Sequence, residues 1–157
     1  MRLIAGLVAV AVSFYASPAF ADWQYTKWGM TPNQVAVTSA GAVAVGPGDS
    51  GDRHPGATLD ATGSYVSGEY RFKANFYFEN GKLAEVRLQL LTDDPGNDNV
   101  KLRNSLQGQY GAPYENSGFI MTFHDQTKNN RVDLMTIPGS GARIVYRPLR
   151  DESASGL

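Results

Sequence analysis

Cysteine is absent from the 157 residues. No disulfide, thiolate metal site or lipidated cysteine is available, so stability has to come from apolar burial. Histidine is nearly as scarce, with two residues, which removes most routes to general-base catalysis and imidazole ligation. Charge of neither sign dominates: 14 basic against 15 acidic side chains give a net charge of −1. With no basic run and no phosphate-cradling glycine loop ahead of a helix, nucleic-acid binding is not expected. Long hydrophobic runs are also missing. The one apolar stretch, LIAGLVAVAVSFYA at residues 3–16, falls short of the roughly 20 residues that span a bilayer.

That stretch follows the charged Arg2 and precedes Ala19-Phe20-Ala21, a small-x-small pattern that signal peptidase accepts. Residues 1–21 therefore read as a signal peptide cleaved after Ala21. The expected product is periplasmic or secreted, with no membrane insertion after cleavage. Loss of Arg2 leaves 13 basic against 15 acidic side chains. Residues 22–150 are expected to form a single domain, and 151–157 a disordered polar tail.

The strongest pattern lies at Glu69–Leu91. Tyr70, Phe72, Ala74, Phe76 and Phe78 alternate with polar residues, and after Asn80-Gly81 so do Ala84, Val86, Leu88 and Leu90. This is the period-2 signature of a hairpin with one buried face. A two-residue turn throughout would set Phe76 opposite Glu85 on one face. Shifting the pairing by one sets Phe76 opposite Val86 and Phe78 opposite Ala84, which predicts a three-residue connection with Gly81 as a left-handed bulge. The other face then carries Arg71, Lys73, Asn75, Tyr77, Glu85, Arg87 and Gln89.

Elsewhere, Asp22–Trp28 reads as a short strand. Thr31 followed by Pro32 opens a short helix to about Thr38. Gly41–Val45 is small and apolar, and Gly46–Gly56 is a loop by composition. A strand resumes from Ala57 to about Val66. A second helix capped by Asn97 or Asp98 carries Leu102, Leu106 and Tyr110 on one stripe and stops at Gly111 and Pro113. Strands follow at Gly118–His124, Arg131–Ile137 and Ala142–Arg147. The fold class is α+β: a two-layer arrangement of an antiparallel sheet of about six or seven strands with two helices on one face. The order suggests two α-then-three-strand halves, without a sequence repeat to support duplication.

Catalytic and metal signatures are weak. Gly48-Asp49-Ser50-Gly51 resembles the nucleophile loop of chymotrypsin-like proteases, but both histidines, His54 and His124, follow the serine, and the chain is too short for that fold. Asp49, Asp52 and His54 do not match a calcium loop, and one histidine with two aspartates on a loop makes only a weak zinc site. His124-Asp125 has a base beside a carboxylate but no placeable nucleophile. No enzyme activity, cofactor or metal is expected. Trp23, Tyr25 and Trp28 suit stacking on sugar rings, although aromatics near a chain start more often staple a strand to the core. The expected site is a partner-binding surface: Arg71, Lys73, Asn75, Tyr77 and Arg87 on the polar hairpin face, with Asp49, Asp52, Arg53 and His54 as a second contact. The expected function is binding a protein partner in the cell envelope. A small-ligand or carbohydrate binder is the alternative, and a small hydrolase the weaker one.

Trp28-Gly29-Met30-Thr31-Pro32, Phe78–Val86 and Leu106 through Tyr110-Gly111-Ala112-Pro113 resemble motifs of small exported bacterial proteins of unknown function. The layout is similar to the helix-on-sheet modules of β-lactamase-inhibitor-like proteins and of an outer-membrane assembly lipoprotein. That resemblance implies protein binding without a catalytic site. The lipidated cysteine of the lipoprotein has no counterpart here.

Overall fold

Two tryptophans set the path of the first described segment. The computed structural model describes residues 22–47 and 56–149. The expected signal peptide at 1–21, the tail at 151–157 and the loop residues Asp49, Asp52, Arg53 and His54 lie outside the described residues. Instead of one strand over Asp22–Trp28, the chain makes a small ribbon of β1 (Asp22–Trp23) and β2 (Thr26–Lys27). It reverses at Gln24, φ 52°, and the Thr26 hydroxyl donates to the Trp23 carbonyl at 2.8 Å. The reversal lets Trp23 and Trp28 both be buried, which a straight strand with opposite-facing side chains at 23 and 28 would not. Both then staple to the core, as expected of aromatics at this position.

The α1 helix (Pro32–Thr38) forms where Thr31-Pro32 places it, and a capping box closes it. The Thr31 hydroxyl accepts from Gln34 N, and Thr31 N donates to Gln34 Oε1 at 2.8 Å. Val35 alone among its residues is buried. The chain continues through β3 (Val43–Val45), β4 (Thr58–Ser67), β5 (Tyr70–Glu79), β6 (Lys82–Leu91), α2 (Pro95–Tyr110), β7 (Glu115–Asn116), β8 (Ile120–Asp125), β9 (Asn130–Met135) and β10 (Arg143–Pro148). For α2 the cap is Asp94, whose Oδ1 accepts from Asn97 N at 3.2 Å, rather than Asn97 or Asp98. Asp94-Pro95 repeats the cap-then-proline chemistry of Thr31-Pro32, and the helix gains an extra turn from it.

Eight strands form one antiparallel sheet in the order β3-β4-β5-β6-β10-β9-β8-β7. The sheet exceeds the expected six or seven strands because β3 and β7, of three and two residues, are too short to show alternation. Each helix is followed by a four-stranded meander, and the two meanders join through their last strands, β6 and β10.

The hairpin pairs as expected through most of its length, with Phe72 opposite Leu90 and Phe76 opposite Val86. Its tip differs. Asn80 and Gly81 both have positive φ, 50° and 71°, as a two-residue type I′ turn requires. The extra residue is absorbed as a bulge at Ala84, so Phe78 faces Leu83 and not Ala84. The bulge puts Leu83 on the same face as Val86, Leu88 and Leu90, and Leu83 joins the core. That core runs from Phe72, Phe76 and Phe78 to Phe123, Val132, Leu134 and Ile144, and includes Val35, Leu102 and Leu106 from the two helices.

Edge strand β3 depends on a close approach. A Cβ at Gly63, which pairs with Val43, would stand 2.4 Å from the Ala42 carbonyl oxygen. Gly63→Ala is expected to lower the unfolding free energy by about 1–3 kcal/mol. In contrast, Gly108→Ala, in open space within α2, should raise it by about 0.5–1 kcal/mol. Urea denaturation measures both, and a Gly63→Ala variant with an unchanged midpoint would contradict the packing argument.

Candidate functional site

The polar face of the sheet holds the hairpin residues expected to meet a partner, and it divides them. Arg71 and Lys73 are exposed, whereas Asn75 and Tyr77 are buried and Arg87 is 8% exposed. The Arg87 guanidinium lies 4.3 Å from the Tyr77 ring centroid and pairs with the Glu85 carboxylate. Glu85 is 1% exposed, and its Oε2 accepts from Arg147 Nε at 2.6 Å. Arg147 Nη1 in turn reaches Asp133 Oδ2 at 3.0 Å. Asp133 also accepts from Arg131 Nε at 3.0 Å and from the Thr122 hydroxyl at 2.7 Å. Cations and anions therefore alternate from β6 across β10 and β9, with the last hydroxyl on β8. Each of these buried carboxylates is clasped by two guanidiniums, which offset the cost of taking it out of water.

The histidine expected to be a possible base is engaged differently. His124 stacks on Tyr114 with ring centroids 4.1 Å apart, and Asp125 accepts from the Lys128 backbone N–H at 3.1 Å to close the β8–β9 turn. No cluster of three or more metal-ligating side chains occurs among the described residues.

A cavity of about 330 Å³ opens between α2, the β4–β5 turn, the β8–β9 turn and the β1–β2 ribbon. Its volume is at the lower end of the roughly 300–1,000 Å³ usual for small-ligand sites. Separate elements bring its walls together. The ribbon reversal carries Trp23 in, β4 presents Tyr65, and β10 presents Tyr146. The α2 helix presents Leu102, Leu106 and, at its last turn, Tyr110 before Gly111 stops it. Trp23 meets Tyr65 edge-on at 5.2 Å, and Tyr65 stacks on Phe72 at 6.1 Å. The Tyr65 hydroxyl accepts from Gln24 Nε2 at 2.7 Å, and the Tyr70 and Ser105 hydroxyls are 3.5 Å apart. Trp28 is not part of this wall; its indole N–H donates to Asn130 Oδ1 at 3.0 Å.

Burial governs the phenols. It raises the pKa of Tyr110, with the neighbouring Tyr146 hydroxyl partly opposing it and the Asp125 charge adding to it. Burial, then the Tyr110 phenol, holds Tyr146 well above the ordinary 10.0. Both are therefore neutral hydroxyls at physiological pH, able to donate and to accept. Of these residues sequence reasoning singled out Trp23, for sugar stacking, and Tyr110, on the helix stripe. Tyr65 on β4 and Tyr146 on β10 are far apart in sequence, and only the sheet order brings them to one cavity.

The raised pKa values predict the alkaline behaviour of the fold. The unfolded chain ionises its tyrosines near 10.0 while the fold retains the neutral form, so this stability is complete below that pH and is lost as pH rises through the folded values. Urea midpoints measured from about pH 8 to about pH 11 should hold steady and then fall. The Tyr146→Phe variant should show a shallower fall, and a slope equal to that of the unmodified chain would refute the assignment.

No family model matches the chain, and no curated protein or solved structure shows significant similarity to it.

Proposed function

We propose that the domain is a binding module without catalytic activity, and that it holds a small ligand in the cavity between α2 and the sheet. The observation that carries this reading is the convergence of four tyrosines, from β4, β5, α2 and β10, around one opening, with Trp23 and an aliphatic floor behind them. Convergent polar groups over an apolar pocket are the usual form of a small-molecule site. The charged tip, apolar run and Ala19-Phe20-Ala21 pattern support an exported product, periplasmic or secreted, after removal of residues 1–21.

Ser105 is exposed on α2 and lines the cavity opposite Tyr70. Ser105→Trp should block the opening while leaving the melting temperature within a few degrees. It should abolish the ligand-dependent thermal shift given by any cavity ligand. Retention of that shift in Ser105→Trp would place binding elsewhere.

A second reading, a protein partner in the cell envelope, draws on a different surface. Val66, Arg71 and Leu91 pair side by side across β4, β5 and β6, and all three are exposed, with Lys73 two residues along β5. Apolar side chains flanking a cation have the composition of an interface centre. Reversing charge with Arg71→Glu and Lys73→Glu should then eliminate capture of a specific envelope protein. Capture that survives both changes would remove this reading.

A further inference from the structure

We infer that the ligand of this cavity is a neutral, polyhydroxylated ring, a single sugar residue. The inference rests on the reading of the cavity as the binding site and adds the chemistry of its occupant. Charge is the first constraint. Among the described residues, Asp125 and Lys128 are the charged ones that line the cavity; they oppose each other in sign and share the β8–β9 turn. A charged ligand would give up its hydration with no net counter-charge in the wall to compensate.

Polarity is the second constraint. The floor is aliphatic and aromatic, with Phe72, Leu88 and Ile144, whereas the walls carry the hydroxyls of Tyr65, Tyr110 and Tyr146. The Tyr110 and Tyr146 hydroxyls hydrogen-bond each other and Tyr65 accepts from Gln24, so a wholly apolar occupant would cover the Tyr65 proton and one proton of the Tyr110–Tyr146 pair, at about 1–3 kcal/mol each. Each phenol donates one hydrogen bond and accepts others, which is the complement of a sugar hydroxyl. The Tyr65 hydroxyl already accepts from Gln24 Nε2 at 2.7 Å, so its proton is directed to another acceptor. A pyranose offers both surfaces at once: an apolar face of C–H groups for the half-buried rings of Tyr65 and Tyr70, and hydroxyls around its edge for the phenol oxygens. A volume of about 330 Å³ suits one ring better than a chain of them.

The test is calorimetric titration of the purified protein with methyl glycosides of glucose, galactose and mannose and with N-acetylglucosamine. Phenol, indole, choline and hexanoate serve as the contrasting probes. At least one sugar should bind, Ser105→Trp should abolish that binding, and Tyr146→Phe or Gln24→Ala should weaken it by about five- to tenfold, as loss of one neutral hydrogen bond does. Gln24 is exposed, so its variant reports on the site even if Tyr146→Phe destabilises the fold. Sugar binding that is indifferent to all three changes would overturn the assignment. Binding of a contrasting probe alone, blocked by Ser105→Trp, would overturn the sugar and keep the cavity as the site. Silence from every probe would overturn both.

Discussion

Glu85 is the buried charge on which the joining of the two meanders depends. Taking a carboxylate out of water costs several kcal/mol unless it is paired, and Glu85 is satisfied by Arg87 on its own strand and Arg147 on β10. The pairing of β6 with β10 is the hydrogen-bonded joint between the halves of the sheet. A slip of one residue there would turn Glu85 toward the phenylalanine core and Val86 toward the arginines. Apolar complementarity on the opposite face, where Val86 meets Tyr146 and Leu88 meets Ile144, enforces the same register. The two faces of the joint thus agree by different physics, one through area removed from water and one through charge geometry.

This dual coverage explains which parts of the fold were legible in the sequence. Alternation is local, so β5 and β6 and the body of their register could be read from one stretch. Capping is local too, and Thr31-Pro32 placed α1 correctly. The hairpin tip was misjudged because the bulge needed somewhere to go. Asn80 and Gly81 together satisfy a type I′ turn, so the surplus residue moved inward to Ala84, where it also buries Leu83. The short β3 and β7 leave no periodic trace, since two or three residues cannot show a period.

The polar hairpin face shows the limit of alternation as a guide to exposure. Arg87, Glu85, Tyr77 and Asn75 have the sequence signature of a solvated face, yet they are buried. Alternation assigns residues to opposite sides of a sheet and does not say which side meets water. Neighbouring strands supplied what the hairpin alone lacked, above all Arg147 and Asp133. The cavity was illegible for a related reason: Trp23, Tyr65, Tyr110 and Tyr146 belong to four elements, and their proximity is a property of strand order.

The ends of the sheet carry a consequence for behaviour at high concentration. A broad antiparallel sheet ordinarily offers two long rows of unsatisfied backbone groups, which recruit foreign strands and seed polymers. Here the outermost strands are β3, three residues long, and β7, two residues long. An incoming strand would find only a few hydrogen bonds at either border, too few to offset the entropy of ordering it. β3 pairs with Ala61–Gly63 of the ten-residue β4, and β7 with two residues of the six-residue β8, so templated growth at either border is confined to the short runs of backbone that flank these pairings.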